Sequence, residues 1–324
     1  MIKLDNINKT FDARGIAGIH NVTATINKGE IIALMGPNGS GKTTLLNILL
    51  QKTPTDSGTI SINGNISHFN SDIKVNDENV QKHLINSIHL EIEDEKKIQL
   101  ARDFAQIFEF TYQLRQKLSE LSQGQLQKVL ISRELINGPE IILLDEPFTH
   151  LDPMSRSQIL QDLFEFIRTR ELTVIWVTHE KDEALRFADK VMLLQHGKIE
   201  QFSSPLDFAT TPKNLFVAQF LGHTNFISFK AINGIWNSPW GEIKTTLDQG
   251  YFIIPPNCWV LDESSQFKAR IQKIIIQNFH SEIEFIHDER VFVTHFPIKT
   301  ASSLKTGGFL SLNTQRDNCF FIPL

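Results

Sequence analysis

Short apolar runs alternate with amphipathic stretches through the first two thirds of the chain. Residues 31–35 are uninterruptedly apolar, and residues 44–50 behind them continue as a helix. A second run at 141–144 is followed by Leu160, Leu163, Phe164 and Ile167, the i, i+3, i+4, i+7 stripe of a helix with one buried face. Residues 174–177 are apolar again and stop at Thr178-His179. Strand, helix, strand, helix predicts an α/β domain with a mostly parallel sheet. Between the first two runs, roughly at 76–120, Leu100, Phe104, Ile107 and Phe108 mark an inserted helical segment with charged outer faces. Beyond residue 222 the pattern turns β-rich. Ile283 and Phe285, then Val291 and Val293, alternate on either side of His287-Asp288-Glu289-Arg290, which reads as a hairpin. No internal repeat or low-complexity tract interrupts these patterns.

A length of 324 residues agrees with two domains, divided as 1–222 and 223–324. Thirty-two basic against 37 acidic residues leave a net charge of −5, so no broad basic footprint argues for nucleic acid. Cys258 and Cys319 match no metal-ligand spacing; they read as ordinary thiols of a reducing compartment or as a pair. The start Met1-Ile2-Lys3-Leu4-Asp5 carries no apolar leader, and runs such as 191–194 are far too short to span a bilayer. The expectation is a soluble cytoplasmic chain, brought to a membrane only by a partner.

Two stretches carry the chemistry. Gly36-Pro37-Asn38-Gly39-Ser40-Gly41-Lys42-Thr43-Thr44 fits the phosphate-binding pattern G-x-x-x-x-G-K-[ST] between an apolar strand and a helix. Glycines let successive backbone N–H groups turn inward onto phosphate oxygens, and the helix adds its positive end. Lys42 would reach the β- and γ-phosphates, and the Thr43 hydroxyl would ligate Mg²⁺. Asp145-Glu146 ends the apolar run at 141–144, where open α/β sheets bind ligands. Asp145 would hold Mg²⁺ and Glu146 would orient the attacking water. The bland alternative for the pair is a strand ending in two solvated acids before Pro147. Together the two stretches describe hydrolysis of a nucleoside triphosphate.

Three further segments narrow the reading. Leu121-Ser122-Gln123-Gly124-Gln125 resembles the L-S-G-G-Q signature of ATP-binding-cassette (ABC) ATPases, with Gln at the third position; alone it could be a helix cap. Thr149-His150-Leu151-Asp152 resembles the family's D-loop, and Thr178-His179-Glu180 its switch-histidine segment. The order and spacing of these motifs identify the chain as similar to ABC ATPases. The resemblance implies ATP and Mg²⁺ as cofactors and two copies sandwiching two ATP molecules head to tail. Ser122, Gln123, Gly124 and Gln125 would then contact the nucleotide held by the opposite copy. His179 would bridge γ-phosphate and water, and Asp152 would link the two sites. Phe11 matches the aromatic that stacks on adenine, with ordinary core packing as the alternative. The family places a Gln before the helical insert, where it touches Mg²⁺ and senses the membrane partner. The best candidate here is Asn70, within Ile66-Ser67-His68-Phe69-Asn70-Ser71-Asp72, one methylene shorter.

Residues 198–225, with Pro205, Pro212, Gly222 and Asn225, resemble importer ATPases of the ferric-iron, polyamine, sulfate, molybdate and sugar uptake group. Such proteins carry a C-terminal transport-associated β-barrel of the OB type, expected here from strands near Ile253-Ile254-Pro255-Pro256 and residues 307–312. The resemblance implies partners in integral-membrane permease subunits, indirectly a solute-binding protein, and a place on the cytoplasmic face of the membrane. Ferric iron or a polyamine is the implied cargo. Rival readings are a soluble ABC ATPase acting on nucleic acid or ribosomes, and an exporter ATPase.

Overall fold

The computed structural model describes residues 1–11, 18–70, 77–149, 151–277 and 280–323, the side chain of residue 317 excepted. Contacts divide the chain into two units, Met1–Phe208 and Ala209–Leu324. The division falls before the expected boundary at 222. The reason is the helix α8 (Leu215–Phe220), whose Ala218 packs with Ile253 and Ile322 of the β-rich unit.

In the first unit the strands are β1 (Ile2–Thr10), β2 (Gly18–Ile26), β3 (Ile31–Met35), β4 (Ser57–Ile62), β5 (Ile66–Asn70), β6 (Ile141–Asp145), β7 (Thr173–Val177), β8 (Lys190–Gln195) and β9 (Lys198–Ser203). The helices are α1 (Lys42–Leu49), α2 (Val80–Ser87), α3 (Asp94–Ile107), α4 (Gln123–Leu135), α5 (Pro153–Thr169) and α6 (Lys181–Phe187), and α7 (Pro205–Thr210) spans the division between the units. Among the described residues, one sheet runs β5-β6-β7-β3-β8-β9, parallel except for β9, and a second runs antiparallel as β2-β1-β4. β3 and β7 are buried along their whole length, as a parallel strand covered on both faces must be. A shared core joins Ile2, Leu4 and Val22 of the antiparallel sheet to Leu45 and Leu49 of α1 and to Leu34 and Leu143 of the parallel one. This packing fixes the C-terminal ends of β3, β6 and β7 side by side.

The helical insert is formed by α2 and α3 with short 3₁₀ turns at Thr111–Gln113 and Leu118–Glu120. Its first expected residue, 76, lies outside the described residues. Phe104 and Phe108 are buried, whereas Ile107 is 41% exposed and lies off the packed face.

The second unit contains β10 (Phe226–Lys230), β11 (Ile235–Ser238), β12 (Gly241–Lys244), β13 (Gln249–Ile253), β14 (Trp259–Leu261), β15 (Lys268–Ile276), β16 (Ser281–His287), β17 (Arg290–Phe296), the short helix α9 (Ile298–Ala301), β18 (Phe309–Thr314) and β19 (Phe320–Pro323). Its main sheet runs β14-β18-β15-β16-β17, all antiparallel, beside β10-β13-β19 and the hairpin β11-β12. This all-β arrangement agrees with an OB-like module. Asn225, fully buried, pins two segments together: its amide donates to the carbonyls of Ile254 (2.9 Å) and Val293 (2.6 Å) and accepts from the Val293 N–H. The hairpin at 281–296 turns through Asp288 and Glu289, both at positive φ, so Phe285 pairs with Phe292. That register brings Phe292 and Phe296 to the core; Val291 is 52% exposed, a correction to the alternation expected from Val291 and Val293.

Candidate nucleotide site

The turn between β3 and α1 follows from its glycines. Gly36 (φ 147°) and Gly41 (φ 106°) occupy the left-handed half of backbone space, and a Cβ on Gly36 would stand 2.3 Å from the Leu194 carbonyl oxygen. No other residue type fits there. The loop therefore wraps tightly around the Lys42 ammonium, which donates to the carbonyls of Gly36 (2.8 Å) and Pro37 (3.1 Å). Burial lowers the Lys42 pKa, and the charges of Glu146 and Asp145 work against that fall. A buried cation whose hydrogen bonds go to neutral carbonyls can exchange them for the oxygens of an anion.

A cavity of about 400 Å³ opens above this loop, lined by Asn38, Gly39, Ser40, Gly41, Lys42, Thr43 and Thr44 on one side and by Asp145, Glu146 and Val177 on the other. The parallel register explains the second wall, because Asp145 pairs with Val177 at the ends of adjacent strands. Asn70 pairs with Asp145 on the other neighbour, β5. Residues 71–76, which follow Asn70, lie outside the described residues. Phe11 stands at the cavity's rim, 58% exposed, which rules out the core-packing alternative. Its approach is fixed by Asp56, whose carboxylate accepts from the Thr10 N–H (2.7 Å) and from the Lys9 ammonium (2.8 Å). That hydrogen bond from Lys9, with the Thr10 amide, holds the Asp56 carboxyl below its usual range. Lys9 Nζ in turn lies 5.6 Å from the centre of the Phe11 ring.

Glu146 has φ 46°, a costly conformation for a side chain with a Cβ. It leaves the carboxylate facing His179, whose Nε2 lies 2.5 Å from Glu146 Oε1. The Thr149 hydroxyl donates to the Glu146 carbonyl (3.0 Å). A second cluster, not read from the sequence, stands behind His179. Arg156 on α5 grips Glu183 on α6 with two nitrogens, at 2.6 and 2.8 Å, and reaches Glu180 at 3.5 Å. Burial raises the Glu183 pKa and the Arg156 partner opposes the rise. Both acids lie within four residues of His179, but nothing local pointed to an arginine on a different helix. Asp56 was missed for the same reason.

Ser122 and Gln125 form a reciprocal cap on α4: the Gln125 N–H donates to Ser122 Oγ (3.3 Å), and the Ser122 N–H donates to Gln125 Oε1 (3.0 Å). The helix-cap alternative is thus realised, and it leaves exposed Ser122 and Gln123 at the positive end of the helix. A Cβ added at Gly124 would stand in ordinary van der Waals contact with Ile159, Leu151 and Ser155. Asp152 caps α5, accepting from the Met154 (3.1 Å) and Ser155 (3.0 Å) amides, and the bond with Ser155 holds its pKa low. His150, in the same segment, lies outside the described residues. None of Ser122, Gln123, Gly124, Gln125 or Asp152 lines the phosphate cavity within one chain.

Known proteins resemble this chain in sequence and fold. The family model described as ABC transporter matches residues 19–149. The spermidine/putrescine import ATP-binding protein of Desulfitobacterium hafniense is 28% identical over 325 positions, covering 91% of this chain and 90% of that protein. Its namesake from Pasteurella multocida is 33% identical over 245 positions, covering 70% of this chain and 65% of its own length. Among solved structures, a dimeric ATP-binding cassette in a post-hydrolysis state, bound to ADP and Pi, matches with a TM-score of 0.55 and 27% identity, across 63% of this chain and 99% of that one.

Proposed function

We infer that this chain, a member of the ABC transporter ATPase family, is the ATP-hydrolysing subunit of a membrane importer, with polyamines as the favoured cargo. The observation that carries the reading is the cavity of residues 38–44 facing Asp145 and Glu146, with His179 bonded to Glu146 and the capped turn at Ser122 outside it. The triphosphate rests on the turned-in amides of the loop and against Lys42, while Phe11 stacks on the base. Thr43 and Asp145, with Asn70 beside them, form an all-oxygen set suited to Mg²⁺, which when bound neutralises charge on the β- and γ-phosphates. Glu146 orients the attacking water and takes up its proton, and His179 holds that carboxylate in place.

Ser122, Gln123, Gly124 and Gln125 complete the site of a second copy, presenting the start of α4 to its γ-phosphate, and Asp152 links the two sites. Closure on ATP and reopening after hydrolysis then drive a separate permease, to which an external solute-binding protein delivers the solute. The chain works at the cytoplasmic face of the membrane; among the described residues no helix is long and apolar enough to cross it. The relatives' role in spermidine and putrescine import supports a polyamine over ferric iron. The test is co-purification of the chain with its permease and measurement of ATP turnover with spermidine, ferric iron, sulfate or a sugar in the presence of the binding protein. Stimulation confined to spermidine and putrescine is expected; stimulation by another solute alone overturns the cargo, and permease-free activation by RNA overturns the importer.

A further inference from the structure

We propose that Cys258 and Cys319 form a redox-responsive dithiol in the β-rich unit, closed to an intramolecular disulfide by glutathione disulfide and reopened by glutathione. They are the two cysteines of the sequence, and some sixty positions of chain separate them. The fold brings them together from both directions. Trp259 pairs with Thr314 across β14 and β18, and the Gln315 N–H donates to the Cys258 carbonyl at 2.8 Å. The 3₁₀ turn Arg316–Asn318 then carries the chain back so that Cys319 returns to Cys258.

Cys319 packs against the same hydrophobic cluster that holds the buried Cys258. Each also faces a carbonyl of the turn: Cys258 Sγ lies 3.8 Å from the Asn318 oxygen, and Cys319 Sγ lies 3.5 Å from the Gln315 oxygen. Neither is engaged in a disulfide. An isolated buried cysteine is an ordinary small hydrophobe, and Cys258, packed in the core, fits that description by itself. A second thiol against it at the edge of the same core does not follow from packing alone.

The two positions divide the chemistry. Cys319 is partly exposed and meets the oxidant first, whereas Cys258 is buried. The Cys319 sulfur attacks one sulfur of glutathione disulfide, breaking that S–S bond and releasing one glutathione thiolate. The Cys258 sulfur then attacks the mixed disulfide at Cys319, forming the internal S–S bond and releasing the second glutathione. Both thiol protons end on the released glutathiones, and two electrons pass from the protein to the oxidant. Burial holds both thiols protonated, and with Cys258 beside it the Cys319 pKa is pushed up to about 12, so little thiolate is present and exchange with glutathione disulfide is slow. The bridge would tie the start of β14 to the start of β19, the strand that pairs with β13.

The test uses the full chain equilibrated in glutathione buffers from fully reduced to fully oxidised, quenched with an alkylating agent and weighed intact. Alkylation is expected to fall from both thiols to neither, with loss of two hydrogens, a peptide joining Cys258 to Cys319, and full recovery in excess glutathione. Cys258→Ala should instead accumulate a stable glutathione adduct on Cys319. Two alkylatable thiols in the fully oxidised buffer, a lasting adduct on the unsubstituted chain, or a bridge between two chains would each overturn the proposal.

Discussion

Asn70 stands directly across from Asp145, partner residues at the ends of the parallel strands β5 and β6. The sequence between Gly58 and the helical insert is short, and it offers Asn70 as the candidate for the family's Gln. Strand register places it beside Asp145, the carboxylate proposed to hold Mg²⁺, which makes Asn70 a candidate for the same shell. Asn70→Ala should therefore raise the Mg²⁺ concentration for half-maximal ATP turnover by about tenfold. Asn70→Gln, with the amide restored one methylene further out, should match or exceed the parent. Metal titration of steady-state hydrolysis decides it, and an unchanged Mg²⁺ requirement in the alanine variant removes Asn70 from the shell.

Glu146→Gln keeps the strained backbone and the contact with His179 while removing the carboxylate charge. Turnover should fall by about 10²–10³-fold with ATP affinity retained. Size-exclusion chromatography in ATP should then show a stable dimer. Undiminished turnover would take the proton-accepting role away from Glu146.

The reciprocal cap at Ser122 and Gln125 predicts complementation between chains. Lys42→Ala should disable the phosphate loop, and Ser122→Arg should block the turn proposed to meet the second copy. Each alone should be inactive, whereas an equal mixture should recover up to about a quarter of parental activity through mixed dimers with one intact composite site. No recovery beyond the sum of the two variants would count against a site shared between copies.

Arg156 holds α6 against α5 through its two-pronged contact with Glu183. Removing it as Arg156→Ala leaves the largely buried Glu183 without its partner and should cost about 2–3 kcal/mol of stability in the first unit. Because α6 begins two residues after His179, turnover should also drop, with the KM for ATP little changed. Double substitution with Glu183→Gln should recover part of the stability in a denaturant titration; additive losses would mean that the contact carries little energy.

Glu30 offers a pH signature. Its burial favours the neutral form, but hydrogen bonds from Lys190 and from Asn27 win, so its pKa in the folded chain lies below the ordinary value. The sign follows from linkage: the contribution is complete above the unfolded carboxylate range near pH 4.5 and is lost as pH falls through the lower folded value. Glu30→Gln should flatten the acid limb of the stability profile below about pH 5 and leave the region above pH 8 with a constant offset. Parallel acid limbs for the two proteins would exclude Glu30 as a contributor.

Much of the nucleotide cradle was legible in the sequence because its physics is local. Glycines that must take positive φ, a lysine inside the loop and a serine-to-glutamine cap three residues apart all act within one turn of chain. The apolar runs at 31–35, 141–144 and 174–177 likewise announced buried parallel strands. Tertiary structure alone decided whatever depends on register or on two distant segments meeting. It exposed Phe11 at the cavity rim with Asp56 behind it, turned Phe292 rather than Val293 inward, and set Arg156 against Glu183. It also set Asn70 beside Asp145 and packed Cys319 against the core cluster of Cys258. A pattern of residue types states which face of an element is buried, but which side chain it meets there depends on how that face packs against a segment tens of residues away.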